Sequence, residues 1–389
     1  MNNTMKLLKQ NIRQYGMFVA LMAVMIFFTI ATGGTFMTSR NLSNLFDQTG
    51  YVAVLAIGMT LILIDLQIDL SVGYVCGFIG ALAAITLKAF PGIPVIFVII
   101  GAMAVGLLIG LYQGFLVAKC AVPAFVVTLA GMFIFRGALL LVTGSTGTII
   151  VKKESFNALG NGFIPDILRD SPIHIVTMTL GVILVIALIV SGISQRKNKA
   201  KYNLQDTPLS LFIFKMVFMS ALILFFTTKL ALYHGISWTV VIVLVVLAFY
   251  AFLTNNTVLG RHIYAVGGNR EAAELSGINA NKILMFVFCS MGALAGLAGI
   301  LFTSRLQSAT PTAGNAFEMD AIASCYVGGV SASGGVGRVT GTIIGALVMS
   351  ALTNGMNLMG IGISYQYIVR GAILILAVLF DVRARRMKI

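Results

Sequence analysis

Residues 283–304 read ILMFVFCSMGALAGLAGILFTS, twenty-two positions without a charge, closed by Lys282 before and Arg305 after. A helix rises 1.5 Å per residue, so about 20 such residues cross the hydrocarbon of a bilayer. Working outward, the same pattern recurs. No charge falls between Lys88 and Lys119, Asp170 and Arg196, Lys229 and Arg261, or Arg338 and Arg370. Of the 389 residues, 59% are hydrophobic and 10% charged, against about 45–50% and about 25% in soluble domains. Most of this surface therefore meets lipid. The net charge of +14 does not point to nucleic acid, because the basic residues border apolar runs, where they orient helices.

Apolar periodicity predicts helices near 15–31, 50–66, 71–89, 94–118, 123–143, 174–195, 209–230, 236–254, 282–304, 320–333, 338–359 and 365–381. Lys6, Lys9 and Arg13 place the N-terminus in the cytoplasm, and Arg383, Arg385, Arg386 and Lys388 place the C-terminus there too, which an even number of spans allows. The prediction is an all-α polytopic transmembrane bundle of about twelve helices, a single domain over 1–389. The first apolar run lacks a small-residue cleavage site and reads as a retained helix. The segment 320–333 is short and Gly-rich, a span or a re-entrant element tolerated only inside protein or beside water. Cys76, Cys120, Cys289 and Cys325 sit in apolar sequence without CxxC spacing and read as packing residues, with no disulfide or metal implied.

Val72-Gly73 through Gly77 to Gly80-Ala81-Leu82 echoes Val336-Gly337 through Gly341 to Gly345-Ala346-Leu347. That echo is either an internal repeat, as transporter folds often contain, or chance among small residues. A second match, Arg136-Gly137-Ala138 with Arg370-Gly371-Ala372, falls on helices running in opposite directions and does not extend the repeat.

Three stretches carry chemistry. In Ile68-Asp69-Leu70-Ser71-Val72-Gly73 a carboxylate interrupts two apolar runs. A charge at bilayer depth costs about 2.5–3.5 kcal/mol, so Asp69 faces the bundle interior or a water-filled path, or caps the helix that starts at Ser71. Asp65, one turn earlier, shares that environment or sits in an exposed loop. From Thr257 to Ile278, Gly267 and Gly268 allow a sharp turn, Asn269 is a good N-cap, Glu271 complements a helix dipole and Gly277 supplies a stop. This predicts a short, capped helix on the cytoplasmic face, either an ordered loop or a surface that docks into a partner's groove. Glu318 and Asp320 precede a Gly-rich run from Gly328 to Gly341. Its spacing does not fit a dinucleotide site, and close helix packing or unwound backbone beside a polar solute are the two readings. No phosphate-binding GxxxxGK[ST] loop, HExxH or GxSxG is present, which argues against ATP hydrolysis by that loop and against a membrane hydrolase.

Ile68 to Gly73, the Pro123-Ala124-Phe125-Val126-Val127-Thr128-Leu129-Ala130-Gly131 run with Arg136-Gly137, the loop from Gly260-Arg261 to Ile278, and Pro311-Thr312-Ala313-Gly314 through Asp320 to Gly337 together resemble the monosaccharide permeases of bacterial ATP-binding-cassette (ABC) importers. The likeness covers nearly the whole chain and is nearest the xylose and multiple-monosaccharide type, which carries an extra helix pair placed near 209–254. The resemblance implies a multi-pass subunit of the cytoplasmic (inner) membrane that translocates a monosaccharide such as xylose or galactose and does no chemistry itself. It implies a second copy of the same subunit, ATPase subunits that use ATP at the cytoplasmic face, an extracytoplasmic sugar-binding protein, and no cofactor, metal or nucleic acid bound by this chain. The coupling loop would be 257–280, with Gly260, Arg261, Gly267, Gly268, Asn269, Glu271, Ala273 and Gly277 at the contact. Candidate path or gate residues are Asp69, Ser71, Gly73, Phe125, Thr128, Asp320 and Asn354. Asp65-Leu66-Gln67 departs from the small or neutral residues usual in that family. The alternatives are an ion-coupled transporter using Asp65 and Asp69, or an importer of the same family carrying a nucleoside or a branched-chain amino acid.

Overall fold

The structure, a computed structural model, describes residues 12–144, 147–168, 171–201 and 208–386. Lys6, Lys9 and Lys388, and the side chains of Arg13, Arg385 and Arg386, lie outside the described residues. Among the described residues the regular structure is helical apart from one ribbon of two-residue strands, as the composition predicts. The first half runs α1 (Ile12–Ala31), α2 (Ser39–Ile64), α3 (Val72–Ala89), α4 (Val95–Ala118), α5 (Ala124–Thr143), β1 (Ile149–Ile150) and α6 (Glu154–Asn161). After it come α7 (Ile175–Lys201), α8 (Leu209–Ala231), α9 (Trp238–Asn256), α10 (Val258–Gly268), α11 (Arg270–Leu275) and α12 (Ala280–Leu306). The chain ends with β2 (Ser308–Ala309), α13 (Phe317–Val327), α14 (Val339–Leu358) and α15 (Ile363–Arg386). Among the described residues, ten helices are long and apolar enough to cross a membrane. α1 adds a shorter apolar stretch, Gly16–Ala31, and α13, with 11 residues, is too short to cross on its own.

β1 pairs antiparallel with β2 at what we term the ribbon end, beside α6. α10 and α11 mark the opposite, loop end. Met17 of α1 packs near Gly341 of α14, and Gly16 lies against Phe380 of α15. The outer ends of α1 and α15 thus both lie at the loop end, as an even number of crossings requires.

The core is a helix trio. α12 packs along α4 because small residues recur every four positions, Gly106, Gly110 and Gly114 on one helix and Gly292 and Gly296 on the other. A Cβ at Gly106 would overlap the Gly292 carbonyl, and one at Gly292 would overlap the Gly106 carbonyl. Only glycine permits this backbone approach. α2 lies against the same helix, with Gly58 facing Met291 and Leu294. The most apolar windows of α2 and α12 are 89% and 78% buried, whereas those of α7, α8 and α15 are 11%, 0% and 6% buried and form the perimeter. The peripheral pair is therefore α7 with α8, and α9, placed with α8 by the sequence, instead packs on α2 and α6.

α2 starts at Ser39, eleven residues ahead of the expected 50. Its first turns look polar, but Thr38, Asn41 and Asp47 each have a partner nearby. The Thr38 hydroxyl accepts from the Asn41 amide at 3.4 Å, Asn41 and Asn354 exchange amide hydrogen bonds at 2.9 and 3.2 Å, and Asp47 lies 4.0 Å from Arg305. The stretch 320–333 is a half-length helix, α13, followed by irregular chain to Arg338. The echoed glycines do not occupy equivalent places. Gly73 and Gly77 sit within α3 against Ala313 and Gly314, whereas Gly337 precedes α14, and Gly341 and Gly345 face Gly328 and Ser324. Of the cysteines, Cys76 and Cys325 are buried, while Cys120 is exposed at the α4–α5 turn, where no packing partner covers it.

Candidate functional site

At the loop end, 257–280 folds into two helices. The Thr257 hydroxyl caps α10 by accepting from the Gly260 amide at 3.1 Å, and Asn269 Oδ1 caps α11 by accepting from the Ala272 amide at 3.0 Å. Gly267 and Gly268 end α10, and the direction changes at Asn269, not at the glycine pair. α11 closes with paired bonds from Ile278 N to Ala273 O (3.0 Å) and Gly277 N to Glu274 O (2.9 Å), with Gly277 at φ 84°. Arg270 donates to Glu274 at 3.0 Å and to Asn281 at 2.7 Å. Only Ala273 of α11 is buried; Arg270, Glu271, Ala272 and Glu274 face out, and Leu275 is 91% exposed.

This capped hairpin is tied to both irregular segments of the bundle. A Cβ at Gly267 would overlap the Ile64 carbonyl, which itself accepts from the Gly335 amide at 2.9 Å. Tyr264 donates to the Gly337 carbonyl at 2.8 Å, and Leu66, at φ 58°, lies over Gly334. Asp65 sits within this knot, buried, with neither carboxylate oxygen hydrogen-bonded among the described residues. Burial pushes its pKa up to about 7, against the opposing pull of Arg270.

From the knot, residues 65–71 climb back into the bundle without helical structure. The Ser71 hydroxyl accepts from Gln113 at 2.8 Å, five residues before α4 ends, so α3 begins about 8 Å inside the loop end. From the ribbon end, 310–316 descends to meet it, and a Cβ at either Gly73 or Gly314 would overlap the other's backbone. Phe317 stacks on Tyr51, twelve residues into α2, which sets the start of α13 about 18 Å down that helix. Two helix N-termini therefore meet inside the bundle, and the buried carboxylates serve them. Asp69 Oδ1 accepts from the Ser71 amide (2.9 Å) and hydroxyl (2.7 Å), while Glu318 and Asp320 lie in the first turn of α13, where negative charge suits the helix dipole. Arg370 pairs with Asp320 at 3.1 Å and donates to Thr353 at 3.1 Å. A cavity of about 20 Å3 adjoins them. Asp320 Oδ1, Arg370 Nε and Ser350 Oγ are buried around it without a hydrogen bond among the described residues, and one water fits and can bridge them.

Beside this junction lies a polar surface flanked by α5 and α15. Asn315 accepts from the Tyr74 hydroxyl at 3.4 Å and donates to the Tyr367 hydroxyl at 3.1 Å. The Arg136 guanidinium lies 5.7 Å above the Tyr74 ring, and that of Arg370 6.0 Å from the Tyr367 ring. Arg136 stands seven residues before α5 ends and Arg370 seven after α15 begins, so both lie about 10 Å in from the ribbon end. The two Arg-Gly-Ala stretches thus share a depth despite their opposite directions. That match was the sequence signal for this surface; nothing singled out Tyr74, Asn315 or Tyr367.

The structure brings Asp69, Ser71, Gly73 and Thr128 together, the last donating to the Ile68 carbonyl at 3.2 Å, with Asp320 across the junction. All five are buried. Phe125 is exposed on the first turn of α5, and Asn354 lies apart, paired with Asn41 near the ribbon end. Asp69 is a cap, and Asp65 is buried rather than exposed.

Residues 41–160 and 155–378 match the family described as the permease component of the branched-chain amino acid transport system. The chain is similar to the xylose transport system permease protein of Haemophilus influenzae, 39% identical over 97% of this chain and 98% of the relative. The xylose transport system permease protein of Escherichia coli is 37% identical over 97% of this chain and 93% of its own length. The ribose import permease protein of Escherichia coli is 35% identical over 93% of this chain and 92% of its own. No solved structure matches the chain.

Proposed function

The chain belongs to the branched-chain amino acid transport system permease component family, and on that footing we propose that it is the membrane-spanning subunit of an ABC importer of a monosaccharide. It is a transport subunit, not a catalytic one, in the multi-pass part of the inner membrane machinery. ATP is used by partner subunits, and an extracytoplasmic binding protein delivers the sugar. Two copies of the chain flank the path. The loop end is cytoplasmic, in keeping with Arg196, Lys197, Arg261, Arg270, Lys282 and Arg338 around it. Xylose and ribose, named for the relatives, are both aldopentoses, so the substrate is an aldopentose, with xylose first.

The observation that carries this reading is the knot at the loop end. An exposed helix with Leu275 at its tip is held by backbone contact to the two irregular segments that reach the middle of the bundle. A motor subunit that grips α11 therefore acts on both segments at once, which lets a local closure bias a two-state bundle. Gly260, Arg261, Gly267, Gly268, Asn269, Glu271, Ala273 and Gly277 form this coupling element; Asp69, Ser71, Gly73, Thr128 and Asp320 hold the junction behind the path, and Phe125 faces it. The test is uptake of labelled xylose, ribose and galactose by the chain reconstituted with its ATPase and binding protein. Uptake that requires ATP and the ATPase subunit supports the reading. Uptake by the chain alone, driven by an ion gradient, refutes it.

A further inference from the structure

We infer that Tyr74, Arg136, Asn315 and Tyr367 form a sugar-contacting wall of the path, a weak way-station for a neutral pentose beside the buried junction, with Arg136 about 10 Å inside the ribbon end. The inference rests on the importer reading and deepens it. Its first support is exposure. Arg136, Asn315 and Tyr367 are all open to the outside of the single chain, at a depth where an arginine facing lipid costs several kcal/mol. A guanidinium held there faces water or another protein surface. A path between two copies supplies that water.

Hydrogen-bonding capacity is the second support. Among the described residues Arg136 makes no hydrogen bond; its one contact is the Tyr74 ring, so five N–H donors remain unspent. The Tyr367 oxygen accepts from Asn315 and keeps its own hydroxyl proton free, and the Asn315 amide has used one donor and one acceptor. A pentose presents vicinal hydroxyls, which a planar guanidinium meets two at a time, and C–H faces, which aromatic rings cover. Arg370 adds little net charge, being neutralised by Asp320.

Rigidity is the third. Asn315 is fixed at both ends by tyrosines from α3 and α15, and Gly314 beside it is locked against Gly73. A pre-set wall costs little ordering entropy. Being open on one side, it grips loosely, as a path from which the sugar must leave requires.

The test uses the reconstituted complex with its binding protein. Asn315→Ala and Arg136→Gln should each lower xylose uptake about three- to tenfold, with binding-protein-stimulated ATPase activity within twofold of wild type. Tyr367→Cys should react with a charged, membrane-impermeant thiol reagent beyond the labelling of the wild-type chain, and saturating xylose should slow that reaction. This last variant decides the matter should either of the others fail to assemble. A wild-type complex without ATP-driven uptake would sink the importer reading itself. A working wild type whose two substitutions keep uptake within twofold, or a Tyr367→Cys chain that the reagent cannot reach, overturns the wall alone.

Discussion

Gly267 and Gly268 are adjacent, helical and chemically identical, yet the structure assigns them opposite tolerance of a methyl group. At Gly267 an added Cβ would overlap the Ile64 carbonyl and crowd the Asp65 Cα, both backbone atoms. At Gly268 nothing lies within 4 Å of it. Alanine gains about 1 kcal/mol over glycine inside a helix, so Gly268→Ala should leave stability unchanged or raise it by up to about 1 kcal/mol. Gly267→Ala gains the same propensity but forces α10 off α2 by more than roughly 1 Å, since carbon contacts need about 3.5 Å. Overpacking costs about 1–3 kcal/mol, and more where backbone blocks relief. The net loss of stability is therefore modest, about 0–2 kcal/mol. The functional loss should be large, because the same Ile64 carbonyl anchors Gly335. Thermal unfolding of the purified subunit would report the first quantity, and xylose taken up per ATP hydrolysed the second. Gly267→Ala should cut that ratio several-fold, with Gly268→Ala near wild type. Equal ratios for the two variants would refute a coupling role for the α10–α2 contact.

Arg370→Met strands the buried Asp320 carboxylate, so thermal or denaturant unfolding should show a loss of about 3–5 kcal/mol; Asp320→Asn with Arg370→Met should recover much of it. Asp65 is an acid whose folded pKa, about 7, lies above its ordinary value of 3.8. Its charged form therefore destabilises the fold above pH 7, and that penalty fades as pH falls from 7 toward 4. Asp65→Asn should accordingly raise the melting temperature more at pH 8 than at pH 5.5; an equal gain at both would exclude a buried, titrating carboxylate. Leu275→Asp changes a residue that is 91% exposed, so melting should stay within about 0.5 kcal/mol of wild type, while co-purification of the ATPase subunit falls sharply.

Hydropathy located ten of the twelve predicted helices to within a few residues because lipid burial leaves a one-dimensional signal, an uncharged run of fixed length. It failed where polarity is satisfied by distant partners. The start of α2 depends on Asn354 and Arg305, more than 250 positions away, and local sequence carries no trace of that pairing. The descent of 310–316 was equally hidden, since a run of turns between helices has neither apolar length nor period. Around Asp69 the local rules sufficed: a carboxylate just before a helix start accepts orphan amide hydrogens, and Asp69 accepts that of Ser71. The short capped helix α11 was legible for the same reason, its punctuation being entirely local, except that glycines placed for close approach resemble glycines placed for a turn. Distinguishing them needs the neighbour, here Ile64.

A close-packed helical frame and an irregular insert divide the molecule. α4 and α12 touch backbone to backbone along their glycines and α2 packs against α12, and close-packed interfaces of that kind shift between discrete states instead of deforming. The insert is 65–71, 310–316 and 328–338, where the chain is irregular and Leu66 and Ala316 hold positive φ. A displacement at α11 reaches this insert at Ile64 and Gly335 before it reaches the frame. From there, 65–71 leads to Gly73, Gly73 abuts Gly314, and Gly314 precedes Asn315. The route from the exposed tip of α11 to the polar wall is thus a continuous set of backbone contacts. Backbone contacts cannot yield by rotamer change, which is the property a mechanical linkage needs and side-chain packing lacks.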